Sequence, residues 1–306
     1  MRLLRPLVLC SAALALCTPQ AADAVEYTLG LYSLGSGAVG AGQMPPAGVY
    51  FTTALNAAQY QNSKVIPYGG LTLAARANVA PVFAGNLMAV LPDEILGGHL
   101  ALSVTSGAAL STVTASLGGL ERTVQGWGGT DTVLSASLGW QVTKEFSHKI
   151  TFSQWLTTGS YETGFFPVVG LNRPGSDFSW GATYLNPANG LEFSGTAGFT
   201  IEGYNDLTSY RSGDALHFEE SVSQHFANGF RAGVYSYQYE QVTGDSGAGA
   251  RLGPFETSAV AVGPTFGYMT QLGGHLVIFT LQGAHEVAVK NRLRATTGLL
   301  SATYKF

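Results

Sequence analysis

The sequence predicts an all-β fold: a transmembrane up-and-down antiparallel β-barrel of about twelve strands, after a cleaved signal peptide. Three observations predict it. Charged residues make up only 11% of the chain, against about 25% in ordinary soluble domains. Glycine occupies 40 of 306 positions, about twice the usual share. Beyond the first 24 residues no apolar run is long enough for a membrane helix, yet short segments of alternating character recur to the last residue. In a barrel the lipid face is apolar and the inner face polar, so hydropathy averages out along each strand. The soluble alternative is an extracellular β-sandwich or adhesin.

The first element is the leader. "MRLLRPLVLCSAALALCTPQAADA" has two arginines, an apolar run from Leu7 to Cys17, and Ala22-Asp23-Ala24 as an A-x-A cleavage site. It reads as a secretory signal over residues 1–24. Both cysteines, Cys10 and Cys17, lie within it. The mature chain therefore has no disulfide, no thiolate chemistry and no cysteine metal site. Losing Arg2, Arg5 and Asp23 leaves 13 of the 15 basic and 18 of the 19 acidic residues. That balance excludes a nucleic-acid partner, which would need a basic surface. Residues 25–47 follow, rich in Gly and with the pair Pro45-Pro46. They form either a periplasmic tail or a plug inside the lumen.

The barrel itself is expected over 48–306. Candidate strands fall at 48–60, 70–90, 96–110, 131–142, 147–160, 176–185, 190–203, 213–227, 229–242, 255–270, 274–288 and 296–306. β-Branched and aromatic residues alternate in stretches such as "GLEFSGTAGFTI". Pro81 interrupts the second segment, where a missing ladder donor implies a bulge or kink. From the second strand onward the connections alternate in length. "LPDEILGG", "TKEFSH", "NPANG", "ANG" and "QLGG" are short, while the intervening links, such as "YNDLTSYRSGD" and "TGDSGAGARLGP", are long. Short periplasmic turns, long outer loops and an even strand count belong to an outer-membrane barrel. A Greek-key sandwich gives no such alternation.

Strand faces follow from the alternation. In the last segment Phe306, Tyr304, Ala302, Leu300 and Gly298 share an apolar face, expected against lipid with Tyr304 and Phe306 in an inner aromatic girdle. In the eighth, His217, Glu219, Ser221, Ser223 and His225 share the expected lumen face. Glu220 falls among the apolar residues opposite, at a bulge or near an interface. In the ninth, Tyr235, Tyr237 and Tyr239 share a face expected to form an outer aromatic girdle, which turns Gln238 and Glu240 inward. His217 with Glu219 could serve a metal or a proton, although simple lumen polarity accounts for them, and nothing in the sequence calls for a cofactor.

The long links carry the remaining polar candidates. Tyr210, Arg211 and Asp214 precede the eighth strand; they either brace the loop or frame a gate at the outer mouth. In the next long link, Asp245 with Arg251 could pair. Six histidines remain after the leader beside many serines, but no motif ties one to a nucleophile, and a catalytic triad is defined by geometry. The expected protein is not an enzyme.

Three stretches carry a resemblance: "GAGQMPPAGVYFTTALNAAQY" (40–60), "YNDLTSYRSGDALHFEE" (204–220) and "YSYQYEQVTGDSGAGARLGPFE" (235–256), with "VGPTFGY" (262–268) beside them. They resemble the outer-membrane family of the meta-pathway of phenol degradation over most of the mature chain. The resemblance implies a channel or transporter for small hydrophobic or aromatic, phenolic-type compounds. Its expected partners are outer-membrane lipids, lipopolysaccharide, the solute and the barrel-assembly machinery, for which Tyr304 and Phe306 resemble the C-terminal signal. The other readings are a structural or adhesive barrel without transport, a general porin and a barrel lipid hydrolase. Twelve strands enclose a narrow bore, whereas a wide water-filled pore takes roughly sixteen or more.

Overall fold

The computed structural model describes residues 30–61, 66–68, 71–117, 120–162, 169–250 and 253–306. The leader and Arg251 lie outside the described residues. Twelve strands form the wall: β1 (Gly48–Gln61), β2 (Leu71–Ile95), β3 (Gly98–Leu117), β4 (Thr132–Gln141), β5 (Phe146–Leu156), β6 (Gly175–Leu185), β7 (Leu191–Glu202), β8 (Ala215–His225), β9 (Phe230–Gln241), β10 (Ser258–Leu272), β11 (His275–Lys290) and β12 (Arg294–Lys305). Each pairs antiparallel with the next, and β1 pairs with β12 from Tyr50↔Lys305 to Gln61↔Arg294, so the sheet closes on itself. Closure leaves no free edge, which is what a sheet needs in hydrocarbon.

The sequence sets these elements locally. Inner turns are tight because residues with left-handed backbone stand where the chain reverses. Leu96 and Gly97 (φ 53° and 74°) join β2 to β3, and Gly273 and Gly274 (φ 60° and 84°) join β10 to β11. Two successive positive φ values match the right-handed twist of the strands they join. Pro81 acts as expected. The β2–β3 register slips between Val79 and Val82, and the β1–β2 register slips opposite it, between Asn56 and Ala58.

One expected outer loop is regular instead. Leu120–Gly129 is a strand paired to Ala108–Leu117 of β3. With β2 at 25 residues, against the 9–11 that cross a bilayer, this part of the wall extends well beyond the membrane. The link sequence alternates enough to pair once the long β3 offers it an edge.

The outer surface is apolar along the strands. Leu55, Phe83, Leu102, Leu134, Ile150, Phe178, Trp180, Phe218, Val234 and Leu300 are all exposed. A water-soluble protein does not sustain a continuous apolar surface of this kind. At the inner rim the Tyr304 ring meets Phe306 edge-on and packs near His275, each at 5.0 Å. Leu300 faces out and Ser301 in, since Lys305 reaches over the buried Tyr50 ring and Thr303 bonds Thr52 inside the barrel.

Glu220 also faces out, near the middle of β8. Its register is unbroken on both sides, with Ser236 and with Gly195. There is no bulge here. Ser236 Oγ donates to its carboxylate, and Gln238 Nε2 donates at 2.7 Å.

Candidate functional site

The interior is built around residues 30–47, which lie inside the barrel mainly against β5–β11, with Met44 and Pro46 reaching β1–β4 at the inner end. Carboxylates on the inner face hold the backbone of this segment at successive heights. The Leu31 N–H donates to Glu202 Oε1 (3.1 Å). The Gly35 and Gly37 N–H groups donate to the two oxygens of Glu219, each at 2.6 Å. The Gly40 N–H donates to Glu192 Oε1 (3.1 Å), and the Gly42 N–H to Thr183 Oγ1 (2.9 Å). Thr196 and Ser221 donate back to the Gly37 and Ala38 carbonyls. Glu202 ends β7 at the outer side and Glu192 stands near its inner end, so the segment descends the height of the wall.

Glycine is required where this packing is closest. A Cβ on Gly181 would strike the Ala41 carbonyl, and one on Gly42 would strike the Ser147 carbonyl. Tyr32 stacks on the His217 ring with centroids 3.6 Å apart. Ala38 packs with Tyr235, Tyr237, Ala261 and Ala284.

The other half of the lumen is different. Along the middle of β12 and β1–β4, uncharged inward side chains bond in pairs across adjacent strands: Thr52 with Thr303 (2.8 Å), Asn86 with Thr105 (2.7 Å), Ser135 with Ser153 (2.8 Å) and Ser137 with Thr151 (2.8 Å); at the inner end Lys305 and the Tyr50 ring face in as well. The paired groups point inward yet are only half-buried, whereas His217 and Glu219 across the lumen are 0% and 1% exposed. Inward groups stay half-exposed only beside space that water reaches. The segment therefore fills one side of the bore for most of its height and leaves a hydroxyl-lined strip along the other, until at the inner end Met44 crosses to pack against Tyr50, Val90 and Ala101.

At the outer mouth two loops interlock. Arg211 Nη2 reaches Asp214 Oδ1 (2.7 Å), and its Nε donates to the Glu202 carbonyl (2.9 Å). Arg211 and Ser246 exchange backbone hydrogen bonds at 2.9 Å. Asp245 accepts from Tyr210 Oη (2.6 Å), Gln241 Nε2 (2.7 Å) and the Gly213 N–H (3.1 Å). Burial raises the Asp245 carboxyl above its ordinary value despite these donors. Tyr210, Arg211, Asp214 and Asp245 thus brace the mouth by holding its two loops to each other. Below them the buried pair Arg173–Glu202 closes at 2.9 Å.

His217 and Glu219 share the lumen face as expected, but they do not act as a pair. His217 Nε2 bonds Asp177 Oδ2 (2.8 Å), while Glu219 is taken by the two glycine amides. The reading of β9 is corrected. Tyr235, Tyr237 and Tyr239 are buried inside the barrel, and Gln238 and Glu240 face outward. The cause is register: Tyr239, Tyr237 and Tyr235 stand opposite His217, Glu219 and Ser221, and directly opposed residues share a face. Tyr237 Oη donates to Glu286 Oε1 (3.1 Å), and Arg292 stands over the Tyr239 ring at 5.8 Å. Glu192, Glu202, Glu286, Asp177 and Arg173 were missed. For Glu192 and Glu202 the signal was present, since they end the polar face Glu192, Ser194, Thr196, Gly198, Thr200, Glu202 of β7.

A family model described as "Putative MetA-pathway of phenol degradation" matches residues 22–302. The chain belongs to this family. No curated protein matches it. Among solved structures, this family member is similar to an outer-membrane channel from Pseudomonas putida F1, with a TM-score of 0.67 and 14% identity over 86% of this chain and 97% of that one. It is also similar to the transport unit of the autotransporter AIDA-I from Escherichia coli, with a TM-score of 0.49 and 10% identity over 90% and 93%. The CymD monoaromatic hydrocarbon channel aligns with a TM-score of 0.38 and 10% identity over 93% and 97%. The closed twelve-strand wall with its apolar belt places this family member in the bacterial outer membrane, surrounded by lipid.

Proposed function

We propose that the protein carries small hydrophobic or aromatic compounds of the phenolic kind across the outer membrane. The observation that carries this reading is the divided bore. Segment 30–47 occupies one side, held by Glu192, Glu202 and Glu219, and a strip of uncharged hydroxyls borders the space that remains. A passage this narrow suits a single small solute, and neutral hydroxyls offer it hydrogen bonds without the hydration shell that charges would hold. The family description, with its reference to phenol degradation, supports the solute class. The clasp of Tyr210, Arg211, Asp214 and Asp245 frames the entrance. The reading is transport, not catalysis. Lipopolysaccharide surrounds the outer rim, and Tyr304 and Phe306 present the strand that the assembly machinery receives.

The test is uptake at limiting concentration with and without the gene, using phenol and a small sugar. Loss of the gene is expected to slow phenol entry and leave the sugar unchanged. Slower sugar entry with unchanged phenol would identify a general porin. No effect on either, with a folded barrel, would leave a structural role.

A further inference from the structure

We propose that the interior holds a binding site for a small aromatic anion, a phenolate or carboxylate borne on one ring, with the Lys149 ammonium as its charge partner. The inference rests on the transport reading above and names the chemistry of one station within it. A cavity of about 210 Å³ lies between segment 30–47 and strands β5–β7, lined among others by Tyr32, Val39, Lys149, Ser153, Asp177 and Ser179. Pockets for drug-sized ligands start at about 300 Å³, so this one suits a single ring.

The charges around it are unequal in their partners. Asp177 Oδ2 is taken by His217 and by Thr200, each at 2.8 Å. Both oxygens of Glu219 are taken by glycine amides. The Lys149 ammonium makes no hydrogen bond or ion pair with any described residue. Lys149 is half-buried beside the bore, and an ammonium there without an ion-pair partner attracts an anion that can settle beside it. The Tyr32 ring and Val39 supply an apolar wall for the aromatic ring.

The cavity is also reachable. Ser153 and Thr151 of β5 bond Ser135 and Ser137 of β4, so the site borders the open strip of the bore. A solute moving along the strip meets Lys149 without segment 30–47 having to leave.

The experiment is calorimetric titration of the purified, detergent-folded barrel with benzoate, and with benzyl alcohol as the uncharged probe. Lys149→Met is expected to weaken benzoate about tenfold or more, the worth of one ion pair at about 1.4 kcal/mol, and to leave benzyl alcohol unchanged. Lys149→Arg retains benzoate. Ser179→Leu, which fills the cavity and keeps the charge, weakens both probes and decides the matter if Lys149→Met fails to fold. Undiminished benzoate binding by folded Lys149→Met, or by Ser179→Leu, overturns the site, as does a wild-type barrel that binds no benzoate. If the gene governs phenol uptake but benzoate does not bind, the site falls and transport stands. If benzoate binding depends on Lys149 but uptake ignores the gene, transport falls and the site stands.

Discussion

Leu300 and Ser301 are neighbours with opposite surroundings, and each permits a direct test. Leu300 meets hydrocarbon and Ser301 meets the water of the bore. Leu300→Arg places a charge on the lipid face at a cost of about 2–4 kcal/mol near the midplane, while Ser301→Arg leaves its charge hydrated. Folded yield in lipid vesicles is expected to drop for the first and to stay near wild type for the second; equal yields would contradict the assigned faces. The alternation in "GLLSATYKF" was enough to read these faces, because the polar and apolar sets differ so clearly. It was not enough for Tyr235, Tyr237 and Tyr239. Alternation says that they share a face, not which one, and tyrosine suits both a lipid girdle and a wet interior. The turn held the missing signal. Phe226 bonds Phe230 across three loop residues, so odd-numbered positions of β8 face odd-numbered positions of β9. With His217 and Glu219 inside, the tyrosines had to follow.

Among the elements, segment 30–47 and the outer loops are both held by buried carboxyl groups. Glu219 holds the segment by accepting from two glycine amides at 2.6 Å, each bond worth about 0.5–1.5 kcal/mol. Glu219→Ala should loosen it, so that a cysteine placed at Ser36 (S36C) reacts faster with a maleimide than in the otherwise unaltered barrel. Equal rates would show that Glu192, Glu202 and the packing of Ala38 suffice. The loop clasp works through a carboxyl that burial disfavours as an anion. Burial raises Asp245 above 3.8 when the loops are closed, so between the open-state and closed-state values the closed state holds a proton that the open state releases. Closure is fully supported below the open-state value and loses this contribution as pH rises through the closed-state value. Exchange of the Gly213 amide, corrected for its intrinsic rate, should report more opening at pH 8 than at pH 3, below the ordinary carboxyl value; the opposite order would remove Asp245 from that role. The sequence showed that these loops were polar and rich in turn formers. It could not show which carboxylate each donor meets, since the partners lie up to 35 residues apart on separate loops.

For the molecule as a whole, strand number and order were legible because every link carried its own length and turn chemistry. The division of the bore was not, because Gly-rich residues 30–47 have neither the alternation of a strand nor the period of a helix. Their placement is set by Glu192, Glu202 and Glu219, more than 150 residues away. The closed ladder predicts heat modifiability: without boiling, the barrel should run apart from its unfolded form on a detergent gel, since no strand edge is free to fray. Coincident bands would remove the closed barrel.

The contact between Gly35 and Glu219 spans 184 residues. In a chain delivered from its amino end, the glycine amides arrive early and their carboxylate arrives when more than two thirds of the polypeptide has emerged. Contacts of such separation form late, because the loop they close must first be ordered. The lead-in must therefore wait, unpaired, until β7 and β8 stand beside it. The seam between β1 and β12 cannot form until the last strand arrives, and when it forms it seals around an irregular segment of the same chain. Maturation thus becomes a problem of timing, in which the bore is fitted out before it is shut.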